Sequence, residues 1–130
     1  MAEITTSIDK LAGEIALAVQ EYTQDVSEAI EKKVDTTAKA IVDELKITSP
    51  KDTGKYAKGW TSKKSTKDGE YKQIVHNKDK PSLVHLLEFG HATVDGGRTE
   101  AQPHVQPAYE KHTANFESDI KRIIKNGGGK

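Results

Sequence analysis

Three sets of residues in this sequence are of types that could do chemistry. Asp52-Thr53-Gly54 matches the triplet that carries the catalytic aspartate of aspartic proteases. That chemistry needs a second carboxylate sharing one proton, buried between apolar strands. Here the triplet follows a long acidic segment and is flanked by Lys51 and Lys55, so it reads as a helix-to-strand turn. His85, Glu88 and His91 are spaced by three, and the first two would share a helix face as a metal pair could. Gly90 intervenes before His91, so polar residues at a packed turn or subunit contact are the stronger reading. His76, His104 and His112 have no ligand spacing, and no Ser-His-Asp arrangement, nucleophile elbow or phosphate loop is present. No catalytic residue, metal or cofactor is expected.

The third set is basic. Lys55, Lys58, Lys63, Lys64, Lys67 and Lys72 are interleaved with Tyr56, Trp60 and Tyr71, a composition able to hold a phosphate backbone. Arginine, which base and phosphate readers favour, occurs only at Arg98 and Arg122. Lys58, Lys63, Lys64 and Lys67 are therefore candidates for an interface or a DNA-facing surface without sequence readout.

The elements that must position these groups follow from periodicity. Ile4, Ile8, Leu11, Ile15, Val19, Tyr22, Val26, Ile30, Val34, Ala38, Ile41 and Leu45 recur in steps of three and four, predicting an amphipathic helix over residues 1–47. At 1.5 Å per residue it would reach roughly 65 Å, too long for a small domain to cover. Either it breaks near the β-branched Thr36-Thr37, or part of its stripe packs on another copy. Thr48 to Gly54 supplies turn chemistry around Pro50. Strands are expected over Lys55–Ser65 and Glu70–Asn77, joined by Lys67-Asp68-Gly69 as a hairpin turn. A short apolar helix, Leu83 to Phe89, should stop at Gly90 in the left-handed conformation. A glycine-rich loop (Asp95 to Arg98) and an extended Pro103–Pro107 stretch follow, and Pro107 starts a last helix to about residue 126. Residues 127–130 should be frayed. The expected fold is α+β in a single domain, 1–130: a long N-terminal helix, a small antiparallel sheet built on a hairpin, a short central helix and a C-terminal helix.

Composition narrows the function classes. Across 130 residues the formal net charge is zero, cysteine is absent, and no run approaches the roughly 18 apolar residues of a membrane span. The polar N-terminus predicts no secretory signal. The neutral total hides a segregation: residues 1–50 carry five Lys against ten acids, whereas residues 51–80 carry nine Lys against four. Such opposed segments can neutralise each other within one fold, serve neighbouring copies or a partner ring of opposite sign, or simply form two solvated faces.

Four ordered stretches, Ser49-Pro50-Lys51-Asp52-Thr53-Gly54-Lys55, Val75-His76-Asn77, Leu87-Glu88-Phe89-Gly90-His91 and Gln102-Pro103-His104-Val105-Gln106-Pro107-Ala108, together resemble the neck and tail-completion family of long-tailed phages and prophages. The likeness covers residues 48–110. Tyr56 stands near the usual leucine after Asp-Thr-Gly, and His91 and His104 replace the common Thr and Phe. The resemblance implies a non-catalytic virion protein of the head–tail junction, assembled in the host cytoplasm as a ring of about six or twelve copies. Its partners would be head-closure or adaptor proteins and tail terminator or tube proteins, with genomic DNA passing through the lumen and no membrane. Asp52, Thr53, Gly54, Glu88, Phe89, Gly90, Pro103 and Pro107 would then define the fold, Phe89 as a core anchor. The alternative is a non-specific nucleic-acid-binding module using the lysine-rich hairpin.

Overall fold

The computed structural model describes residues 2–51 and 53–128, with side chains from Gly13 onward. Ile4, Ile8 and Leu11 of the expected stripe, Asp52 of the triplet and the last two residues of the expected frayed tail lie outside this description. The architecture is α+β: α1 (Ala2–Thr48), α2 (Lys55–Lys58), β1 (Trp60–Ser65), β2 (Lys72–Asn77), α3 (Leu83–Phe89), α4 (Val105–Thr113) and α5 (Phe116–Lys125). The chain divides into two compact units, one of Val34–Glu117 and one of Met1–Lys33 with Ser118–Lys130.

Helix α1 is continuous and does not break at Thr36-Thr37. Ala38, Ile41, Val42 and Leu45 follow at helical spacing and are all buried, and that packing outweighs the weak local propensity of two threonines. Ile41, Val42 and Leu45 form the core cluster of the larger unit with Tyr56, Trp60 and Ala108, and Val75, Leu83, Val84, Leu87 and Val105 pack around them.

The hairpin is antiparallel, with Trp60 opposite Asn77 and Ser65 opposite Lys72. Asp68 (φ 61°) and Gly69 (φ 77°) both take positive φ at its turn, which Asp-Gly accepts at little cost. The first strand is shorter than expected, because Lys55–Lys58 is a helical turn. Tyr56 and Ala57 are both buried, and adjacent residues of a strand would point to opposite faces. Gly54, at φ 87°, redirects the chain into that turn. The second strand begins at Lys72 rather than Glu70.

The expected C-terminal helix is two helices, separated by a turn at Ala114-Asn115. Thr113 donates its hydroxyl to the Tyr109 carbonyl, a back-bond that bends helices. In the smaller unit, Lys33 pairs with Asp119 at 3.0 Å, and Tyr22 donates its hydroxyl to the Ile124 carbonyl. Gly127 and Gly128, expected as frayed, instead close α5 through amides donated to Ile124 and Ile123.

Candidate functional site

The four stretches singled out by sequence each supply one of the buried polar side chains found among the described residues: Ser49, Asn77, Glu88 and His104. Each is buried because it satisfies backbone or aromatic groups from another element. Trp60 donates its indole N–H to Ser49 Oγ at 2.7 Å, which ties the start of β1 to the end of α1. Asn77 donates to the Tyr56 carbonyl at 2.7 Å and accepts from the amides of Lys80 (2.9 Å) and Asp79 (3.2 Å). A single carboxamide thus holds α2, the end of β2 and the following turn. Among the described residues no buried side-chain polar atom lacks a partner.

Glu88 is the centre of this arrangement. A helix begins with amides that have no partner inside the helix, and α4 begins in the protein interior. Glu88 Oε1 accepts from the amides of His104 and Val105, both at 2.8 Å, and Oε2 accepts from Gln106 at 3.0 Å. The carboxylate also complements the positive end of the α4 dipole. Burial alone would push its pKa up, but the three amides, with His104 beside them, hold it below the usual carboxylate range. His104 Nδ1 lies 2.7 Å from the Gln102 carbonyl and 3.1 Å from Glu88 Oε1, and its Nε2 lies 2.7 Å from the Tyr56 hydroxyl. Burial, with the Glu88 carboxylate adding to it, pushes the Tyr56 phenol up to about 12. The Tyr56–His104–Glu88 chain has the connectivity of a proton relay. All three groups are buried and engaged in fixing elements, so it acts as a clamp.

Phe89 corrects an expectation. It is 56% exposed, and its ring lies 5.0 Å from His85 on the outer face of α3. Neighbouring helical residues point about 100° apart, and the face carrying Glu88 is the one turned to α4. Phe89→Ala is accordingly expected to cost under about 1 kcal/mol in urea unfolding, rather than the roughly 3–5 kcal/mol of a buried phenylalanine.

Gly90 ends α3 as expected but in a different conformation, φ 72° and ψ 172°, accessible essentially only to glycine. It turns the chain into a narrow excursion closed by the Ala92–Arg98 bridge and by the Thr99 amide donating to the His91 carbonyl at 2.8 Å. The glycine-rich stretch is therefore a small bridged hairpin rather than an open loop, with Val94 fully exposed near its tip.

The remaining sequence candidates are dispersed. Thr53 accepts a long bond from the Lys55 amide through its hydroxyl. Pro103 precedes α4 in exposed coil, and Pro107 lies in its first turn. His85 packs at a tilt against Phe89, His91 Nδ1 lies 3.1 Å from Thr99 Oγ1, and Glu88 points inward, so the three are not gathered on one ligand. No group of His, Asp and Glu among the described residues is arranged to hold a metal. Lys58, Lys63, Lys64 and Lys67 are exposed and form no ion pair with a described carboxylate.

Sequence reasoning assigned Asn77, Ser49 and His104 no role of their own, and grouped Tyr56 with the aromatics of the basic hairpin. Nothing in their immediate neighbours marks them; Ser49, Asn77 and His104 stand out only as members of the ordered stretches. Helix α1 runs through two environments: beyond its buried C-terminal turns, Ile15 and Val19 are 56% and 59% exposed. No described helix is long and apolar enough to cross a membrane.

No curated protein and no solved structure matches the chain. A family model, HK97-gp10-like, described as "Bacteriophage HK97-gp10, putative tail-component", matches residues 13–90. The match runs from the exposed part of α1 through the hairpin to the glycine that ends α3, more than half of the chain, and the chain belongs to this family of phage tail components.

Proposed function

We propose that this structural phage protein is a neck or tail-completion component, assembling as a closed ring between the head-closure proteins and the tail terminator or tube, with DNA passing through its lumen. The observation that carries the reading is the pairing of two unlike surfaces on one chain. Residues 13–28 of α1 carry an exposed apolar stripe and four carboxylates with no Lys or Arg, while the hairpin presents exposed lysines. Surfaces of opposite sign and different shape on one chain favour a head-to-tail contact between copies, the kind that closes into rings. The clamp residues support a structural role, since each is consumed in holding elements together.

Deleting the gene in its phage or prophage and imaging the lysate is the direct test. DNA-filled heads beside separate finished tails are expected; intact infectious particles would remove the joining role. Exchanging both Lys63 and Lys64 for Glu should impair particle assembly with an unchanged circular dichroism spectrum. Normal assembly by that variant would take the hairpin out of the interface. If these lysines face DNA instead, the purified chain should bind duplex DNA, with a salt slope that falls by about 0.9 per lysine removed.

A further inference from the structure

The larger unit carries an open groove of about 750 Å³, lined chiefly by apolar side chains. Val34, Ala38 and Ile41 of α1, Val75 of β2, Val84 of α3 and Tyr109 of α4 line it. Protein interiors close such space to about crystal density, and an apolar hollow of this size left open marks a contact surface. Tyr109 is large, apolar over most of its surface and exposed in the single chain.

The same chain carries an exposed apolar helix face. Ile15, Ala18, Val19 and Tyr22 stand at i, i+3, i+4 and i+7 on α1, the spacing by which an amphipathic helix anchors in a groove. Ile15, Ala18 and Val19 are exposed, and Tyr22 is only partly covered, through its bond to Ile124.

The charges agree. Glu14, Glu21, Asp25 and Glu28 flank the stripe. On the hairpin Lys64 lies opposite Gln73, a groove residue, and its field already reaches Asp35. Lys67 at the turn adds to this edge, whereas Lys63 and Lys72 stand on the hairpin's other face.

We infer that the groove is the receptor for residues 13–28 of α1 of a second copy, with Ile15 and Val19 seated between α1 and α4 and the flanking carboxylates drawn to the hairpin lysines. The contact is heterologous: each copy offers a helix to one neighbour and a groove to the other. It rests on the ring reading above and names the surfaces that make it.

Because the chain has no cysteine, thiols can be placed at will. The double variant Ala18→Cys/Tyr109→Cys, carried into assembled particles and treated with a short bis-maleimide, should give a ladder of chain multimers on a denaturing gel. Single-cysteine variants should give no ladder. Adding Val19→Glu should abolish it while the circular dichroism of the purified chain stays unchanged. If the double variant enters particles but stays monomeric on the gel, or is linked to a different tail protein, the groove assignment fails and the joining role stands. If the wild-type chain is absent from particles, both readings fail. Recovery of the purified chain with a lipid or other small apolar molecule bound, released by Tyr109→Glu, would also overturn the assignment.

Discussion

Replacing Glu88 by glutamine is expected to lower stability by about 2–3 kcal/mol, and replacing it by alanine by about 4–5 kcal/mol. The charged carboxylate is buried and accepts from three consecutive amides at 2.8–3.0 Å, of which that of His104 is buried and those of Val105 and Gln106 are partly buried. Glutamine keeps the shape but turns an N–H₂ group toward amides that also donate. Alanine leaves all three donors without their acceptor, the His104 amide buried. For a chain of this size, each kcal/mol corresponds to roughly 4 °C in Tm, so glutamine should shift the thermal midpoint by about 8–12 °C.

The pH dependence separates this from simple loss of packing. The folded-state pKa of Glu88 is depressed below its ordinary 4.5, so its contribution is fully present above that value and is lost as pH falls through the folded pKa. Urea unfolding of the parent and of Glu88→Gln should therefore show a gap that is constant at neutral pH and narrows below about pH 4.5. The other depressed carboxylates, among them Asp35, Glu44 and Asp119, are common to both proteins and cancel in the difference. A gap that does not change with pH would mean that the carboxylate is not ionised against the helix, and the clamp would need another explanation.

Gly90→Ala should cost at least about 3 kcal/mol, and valine more. Two effects combine at this position. The conformation at φ 72°, ψ 172° is one that side chains avoid, at about 1–3 kcal/mol. A Cβ there would also stand 2.5 Å from the Thr99 carbonyl oxygen and 3.3 Å from the Ala101 amide, backbone atoms that cannot rotate away. Gly96 provides the control. It too has positive φ (89°), but a Cβ there meets nothing within 4 Å, so Gly96→Ala should cost only about 1–2 kcal/mol. Equal losses at the two positions in chemical denaturation would mean that strain alone matters and that the return strand at Thr99–Ala101 is not packed on Gly90.

Much of this protein was legible in the residue order. The three-four periodicity of α1, the Asp-Gly pair at the hairpin turn, the glycine that ends α3 and proline in the first turn of α4 are local effects, decided by side-chain volume, φ preference and amide availability over a few residues. The family resemblance, carried by four short stretches, also lay in the order alone. What those stretches do was not legible. Glu88 and Phe89 are neighbours, and by hydrophobicity the phenylalanine belongs inside; the structure buries the glutamate. The reason lies 16 to 18 residues away, where the first amides of α4 need an acceptor that only a buried anion supplies fully. Tyr56 likewise sits in a helical turn because Asn77 and His104, 21 and 48 residues distant, hold its carbonyl and its hydroxyl. By itself the sequence determined where the chain helixes, turns and stops. Only the tertiary structure decided which face of each short element is buried, because that choice is made by unsatisfied polar groups on elements far along the chain.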